Sequence, residues 1–243
     1  MRALAIFVAG LAWCGGASAQ TTDERQPFGP VVDDGGIFAH VIVDQLEARV
    51  AGGDAGFRWD AEAWAGPDAW RVWLKSEGDR GKSGELTDGQ TEAMVSRPIA
   101  PFWDVQVGAR YDLDSRPGRA WGAIGVQGLA PGNFDIEATA YGGEKGAAAK
   151  LKASHDFLIT NRLILQPEAE LNAYSQDDKA RLIGSGISDL DAGVRLRYEI
   201  TRKFAPYVGV TWAKDFGRTA SLMRAAGEDT DEVRLAVGLR GWF

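Results

Sequence analysis

The chain has 243 residues, with 27 Lys plus Arg against 34 Asp plus Glu, and its formal charge of −7 excludes a general nucleic-acid binder, which would carry a basic patch. Hydrophobic residues make up 45%, too many for a disordered chain, and a single cysteine excludes both a disulfide scaffold and a Cys–His zinc site. No uncharged apolar run approaches the roughly 20 residues that a membrane-spanning helix needs.

Residues 1–19 read as a secretory signal. Arg2 is its positive start, Ala3 to Trp13 its apolar stretch, and Ala17-Ser18-Ala19 an A-x-A cleavage site. A rival reading lipidates Cys14, but Trp13 stands directly before it, where a small residue is expected. Cleavage starts the mature chain at Gln20 and removes the cysteine. Residues 20–36 form a short flexible segment, and 37–243 the folded domain.

From Ile37 onward the dominant signal is alternation with period two. Twelve segments carry it: 37–49, 57–64, 69–77, 90–96, 102–112, 119–129, 134–141, 147–156, 163–175, 188–200, 207–216 and 231–243. In the first, His40 and Asp44 share a parity with Ile42 and Leu46, while Gln45, Glu47 and Arg49 hold the other. Neither face is clean, which points to a bulge or a misplaced edge. Later segments are cleaner. Phe134, Ile136, Ala138 and Ala140 oppose Asp135, Glu137, Thr139 and Tyr141. Leu163, Leu165, Pro167, Ala169 and Leu171 oppose Gln166, Glu168, Glu170 and Asn172. The long connections 78–89, 176–187 and 217–230 all follow odd-numbered segments, so they emerge at one end. An up-and-down barrel with an even strand number and both termini at the short-turn end does this.

Alternation does not say which face is inside. Four features place the apolar face outward, toward lipid. Many segments have the 9–13 residues of a tilted membrane strand. Aromatics such as Phe57, Trp59, Trp70, Trp103, Tyr111, Phe134, Tyr198 and Trp212 sit near segment ends, as in an interfacial girdle. The charged face carries both signs, and Ala138, Ala140, Ala169 and Ala173 are too small to fill a wide apolar interior. The chain closes an alternating strand on Phe243, which resembles the terminal signature of bacterial outer-membrane proteins. The expected fold is an all-β transmembrane up-and-down antiparallel barrel of about twelve strands. A charge facing lipid costs about 2–4 kcal/mol near the midplane, so charged side chains point into the lumen. They form either a structural ladder of ion pairs or a narrow hydrophilic path.

Several strings are similar to the bacterial copper resistance protein B family. These are Leu158-Ile-Thr-Asn-Arg-Leu-Ile-Leu-Gln-Pro167, Gly184-Ser-Gly-Ile-Ser-Asp-Leu190, Phe204-Ala-Pro-Tyr-Val-Gly-Val210, Trp73-Leu-Lys-Ser-Glu-Gly78, Arg97-Pro-Ile-Ala-Pro-Phe-Trp103 and Ala226-Gly-Glu-Asp229. The resemblance covers about Ile37 to Phe243. It implies an outer-membrane barrel in a periplasmic copper-resistance system that binds copper or assists its export. Its implied partners are outer-membrane lipid, copper ions and a periplasmic copper oxidase. Family members often carry a Met- and His-rich segment before the barrel, whose soft donors suit copper. Residues 20–36 contain neither residue type.

The candidate metal ligands are His40 and Met94. His40 and Asp44 lie on one face with Cα atoms about 13 Å apart, too far to share a metal without a further residue. His155 falls on the apolar parity, as an interfacial ring, and Met223 in an external loop. The candidate lumen lining is Glu137, Glu168, Glu170, Asp191, Arg195 and Arg197, where carboxylates would hold cations weakly enough to release them. An enzyme is not expected: two histidines lack an evident nucleophile partner, and no G-x-S-x-G is present. The competing function is a structural or nonspecific small barrel without specific copper binding.

Overall fold

The computed structural model describes residues 36–52, 54–81, 84–114 and 118–243. The signal segment 1–19 and all but the last residue of the segment 20–36 lie outside them. The strands are β1 (Phe38–Ala51), β2 (Asp54–Gly66), β3 (Arg71–Arg80), β4 (Leu86–Ala100), β5 (Trp103–Asp112), β6 (Arg119–Ala130) and β7 (Phe134–Gly143). They continue as β8 (Gly146–His155), β9 (Phe157–Leu158), β10 (Leu163–Tyr174), β11 (Gly186–Tyr198), β12 (Phe204–Asp215) and β13 (Asp231–Trp242), with one helix, α1 (Gly217–Ala226), before the last strand.

Each strand pairs antiparallel with its neighbours, β1 pairs with both β2 and β13, and β10 pairs with β11, so the sheet closes on itself. The two-residue β9 resumes the line of β8 past Asp156 and pairs with the same β10. The ring therefore has twelve staves. Closure satisfies every edge, the one way a sheet can stand in hydrocarbon.

The mixed faces of the first strand have a local cause. Its register with β2 shifts between Val43 and Gln45, a bulge at Asp44. One extra residue reverses side-chain parity. Ile42 and Asp44 line the lumen before the bulge, and Gln45, Glu47 and Arg49 are buried there after it.

Burial is inverted relative to a water-soluble protein. Leu235, Val237 and Val208 stand exposed on the outer wall, whereas Glu47 and Asp112 are 0% exposed within it. Charge inside and hydrocarbon outside is the arrangement a bilayer imposes. Phe57, Trp70, Tyr111, Phe134 and Tyr198 are exposed. His155 packs between Phe134 and Phe157, with ring centroids 4.8 and 4.2 Å away.

The two ends of the barrel differ. Short turns join β2–β3, β4–β5, β6–β7 and β11–β12 at the end where β1 starts and β13 finishes. In one of them Pro131 precedes Gly132, whose φ of 87° only glycine adopts freely, and the Asn133 N–H closes on the Ala130 carbonyl at 3.1 Å. The long connections 175–185 and 216–230 stand at the other end. The connection 78–89 of the sequence reading shrinks, because β3 and β4 extend into it and leave only 81–85. The connection before β13 contains α1, which carries Met223 on a helix rather than in a loop. Ten residues are too few for a helix to hold alone. Thr219 anchors it: its Oγ1 accepts from the Gly184 N–H at 2.9 Å and lies 3.0 Å from Ser188 Oγ.

Candidate functional site

The lumen is the only chemically dense region among the described residues, and strand register builds it. Inward residues of adjacent strands stand side by side, so charges accumulate in tiers. Glu47 is the centre of one tier. Arg195 Nε donates to Glu47 Oε2 at 2.9 Å, Arg49 Nε to Glu47 Oε1 at 2.7 Å, and Tyr207 Oη to Glu47 Oε2 at 3.0 Å. The Arg195 guanidinium also reaches Gln45 Oε1 at 3.0 Å and Glu168 Oε1 at 3.3 Å. Arg49 Nη1 donates to Asp191 Oδ2 at 2.7 Å. Arg58 bridges Asp79 at 2.6 Å and Glu170 at 3.6 Å. The backbone makes room for this tier: a Cβ on Gly238 would lie 2.6 Å from the Tyr207 ring and 2.7 Å from Glu47 Cβ.

Other pairs cross the lumen. Lys152 on β8 is bonded to Asp60 on β2. Those strands are six staves apart in a ring of twelve, on opposite walls. Lys150 Nζ donates to Glu77 Oε1 at 2.8 Å and stands 3.7 Å from Glu92 Oε1. Lys75 Nζ lies 2.8 Å from Glu137 Oε2 and donates to Gln127 Oε1 at 2.9 Å. Tyr141 Oη donates to Glu92 Oε1 at 2.6 Å.

Between these pairs and the short-turn end lies a cavity of about 490 Å³ that reaches Phe102 and Leu129 at the turns. Its wall carries ten carboxylates, among them Asp44, Glu62, Asp104 and Asp135, against five cations, Arg71, Lys75, Lys150, Lys152 and Arg240. Acidic walls of low dielectric focus field and concentrate cations.

The long-loop end is covered. The connection 175–185 runs from β10 and β11 over the mouth toward β6, where Asp178 meets Arg119 at 2.6 Å. Arg181 enters the mouth and pairs with Asp112 at 3.3 Å, Asp88 at 3.6 Å and Asp114. Burial pushes the Asp114 carboxyl above its ordinary range despite the Arg181 charge beside it. At the loop surface the Ser185 N–H, and then Arg218, hold Asp177 below the ordinary range. Beneath the cover, Trp121 Nε1 donates to Asp112 Oδ2 at 2.9 Å, and Arg110 lies 4.9 Å from the Tyr141 ring centroid.

The structure brings four of the six lining candidates into the Glu47 tier: Glu168 and Arg195 touch each other, Asp191 holds Arg49, and Glu170 faces Arg58. Glu137 stands apart, paired with Lys75, and Arg197 pairs with Asp156 at 2.7 Å and Gln166 at 3.0 Å. His40 lies between the rings of Trp64 and Trp242, at 5.9 and 5.3 Å. Met94 is 1% exposed and packs among Trp73, Trp121 and Tyr141. A Cβ on Gly108 would fall 2.8 Å from its sulfur. Register runs His40–Trp64–Trp73–Met94 along one row, three strand spacings or about 14 Å, so the two soft donors do not share a centre. Among the described residues no cluster of three or more His, Cys, Asp or Glu is arranged to hold a metal ion. Sequence reasoning missed the central role of Glu47, because the bulge hides its parity. It also missed Arg181, because an irregular loop has no period to read.

Comparison with known proteins agrees with this architecture. The NanC porin matches with a TM-score of 0.54 over 84% of this chain and 99% of that one, at 14% identity, a likeness of fold. A copper resistance protein B homolog of Pseudomonas syringae pv. tomato is 41% identical over 94% of this chain and 83% of its own length. Copper resistance protein B of Escherichia coli is 40% identical over 91% and 80%. The family model for the copper resistance protein B precursor (CopB) matches residues 37–243, the whole barrel. This outer-membrane barrel belongs to the copper resistance protein B family.

Proposed function

We propose that the barrel serves copper resistance by drawing copper ions into its acidic lumen at the short-turn end, holding them weakly, and assisting their passage out across the outer membrane. The observation that carries this reading is the cavity wall, with twice as many carboxylates as cations. Conduction needs sites that attract an ion yet release it, and carboxylates partly neutralised by Lys75, Lys150 and Lys152 meet that need. In bacterial barrels the short turns face the periplasm. There a periplasmic copper oxidase, the partner that the family resemblance implies, would meet the mouth. The role is binding and passage, not catalysis. His40 within its tryptophan rings is proposed as an entry contact; buried Met94 is the weaker ligand candidate.

Deleting the gene is expected to raise copper sensitivity, and the plasmid-borne chain to restore tolerance. Unchanged tolerance in the deletion strain overturns the reading. The second reading, a structural barrel without specific copper binding, is favoured by the Lys152–Asp60 and Lys150–Glu77 pairs that cross the lumen. A barrel that is silent in a planar bilayer and leaves copper tolerance unchanged when deleted would establish it.

A further inference from the structure

The outer wall carries a groove of about 590 Å³ beside the short turns, lined by Leu163, Leu196, Tyr198, Pro206, Val208 and Leu239 among others. These residues lie on the neighbouring strands β10 to β13, and Leu46 continues the groove onto β1. At the usual strand spacing it is about 19 Å across, wide enough for paired acyl chains. Its floor is main chain: Tyr207 pairs in register with Gly238 and turns its hydroxyl inward to Glu47. On β10 to β13 the lining residues fall in the half of each strand next to the short turns. That half stands in the periplasmic leaflet, since the short turns of bacterial barrels face the periplasm.

Cations gather at the same edge. Among the described residues, four exposed Lys or Arg side chains stand at the short-turn end: Arg97, Arg162, Arg202 and Lys203. Three of them cap the groove. Arg162 directly precedes Leu163, and Arg202 and Lys203 sit in the turn between β11 and β12. The two turns are tied together, the Glu199 N–H donating to the Arg162 carbonyl at 2.8 Å. Trp242 Nε1 donates to the Arg202 carbonyl at 2.6 Å, which fixes the second turn. Glu199 lies 3.4 Å from Arg202 and offsets one of the three charges. On a chain with a formal charge of −7, a positive rim above an apolar groove complements a phosphate head on hydrocarbon tails. A second copy fits worse. Two chains that share an orientation in the membrane would meet through the same patch, with the three cations of each facing those of the other.

We infer that this groove and its rim of Arg162, Arg202 and Lys203 form a binding site for an anionic phospholipid of the periplasmic leaflet. The site is separate from the lumen and stands whatever ion the lumen carries.

The test titrates the purified barrel in detergent with phosphatidylglycerol, which is anionic, and with phosphatidylethanolamine, which carries no net charge. Native mass spectrometry reads the retained lipid. Phosphatidylglycerol is retained more tightly, by about tenfold or more. Arg162→Gln, Arg202→Gln and Lys203→Gln each weaken its retention by about fivefold, and the three together remove the preference. These side chains lie on exposed turns, so the fold is retained, and heat-modifiable migration checks it. Val208→Trp fills the groove and lowers phosphatidylglycerol retention with every charge in place. Arg97→Gln, at an exposed cation on β4 six staves from β11, leaves retention unchanged. Equal retention of the two lipids overturns the inference, as does an unchanged triple variant, retention unmoved by Val208→Trp, or an equal loss in Arg97→Gln. A mass of two chains that Val208→Trp returns to one assigns the groove to a second copy and overturns it too.

Discussion

Replacing Glu47 with Gln keeps the side-chain shape and removes one charge from the middle of the barrel. Glu47 is 0% exposed and receives Arg195, Arg49 and Tyr207 at 2.7–3.0 Å. Removing one partner of a buried ion pair costs about 3–5 kcal/mol, because the opposite charge stays behind uncompensated. Here neither arginine is wholly stranded. Arg195 keeps Glu168 at 3.3 Å, and Arg49 keeps Asp191 at 2.7 Å. The loss should therefore fall at the lower end, about 3 kcal/mol. The assay is reversible urea unfolding from lipid vesicles, followed by tryptophan fluorescence. The double variant Glu47→Gln with Arg195→Gln should lose less than the sum of the two single variants, by about 1 kcal/mol or more, since the groups touch. A change within about 0.5 kcal/mol, typical of an exposed surface site, would refute the reasoning: the lumen would then be wet enough for its charges to be solvated rather than paired.

Two further perturbations address the outer wall and the cover. Val237 is 60% exposed near the middle of β13, so Val237→Arg should destabilise the barrel in vesicles by about 2–4 kcal/mol while Val237→Leu is near neutral; an Arg tolerated there means that this face does not meet hydrocarbon. Arg181→Ala removes the contacts to Asp88, Asp112 and Asp114 that hold the connection 175–185 over the mouth. Amide exchange should accelerate in that connection and not in β10 or β11, and exchange unchanged throughout would mean that the cover is held by other contacts.

Much of the fold was legible because alternation is a local consequence of strand geometry. Leu163 to Leu171 reads apolar and polar in turn whatever lies beside it, and twelve such segments with long connections at one end leave little freedom of topology. The orientation of the faces was also legible, since a ring too wide to be filled by Ala138 and Ala169 cannot have its apolar face inside. The first strand resisted. Its parity changes at Asp44, and a bulge is defined by the partner strand rather than by the residue itself. Helix α1 was read as loop for the related reason that its stability comes from Thr219 docking on Gly184 and Ser188.

For the lumen the division is sharper. Outside the bulged first strand, sequence alone determined which residues face inward, because period two assigns a face to every position on a regular strand. It did not determine which of them meet. Lys152 and Asp60 are 92 positions apart, and Arg195 and Glu47 are 148 apart. Only the closed ring, with its register and the width of its lumen, decided that these charges neutralise one another. Side-chain direction is set by the nearest peptide units, whereas electrostatic pairing falls off with distance in three dimensions, and that distance exists only once the barrel has closed.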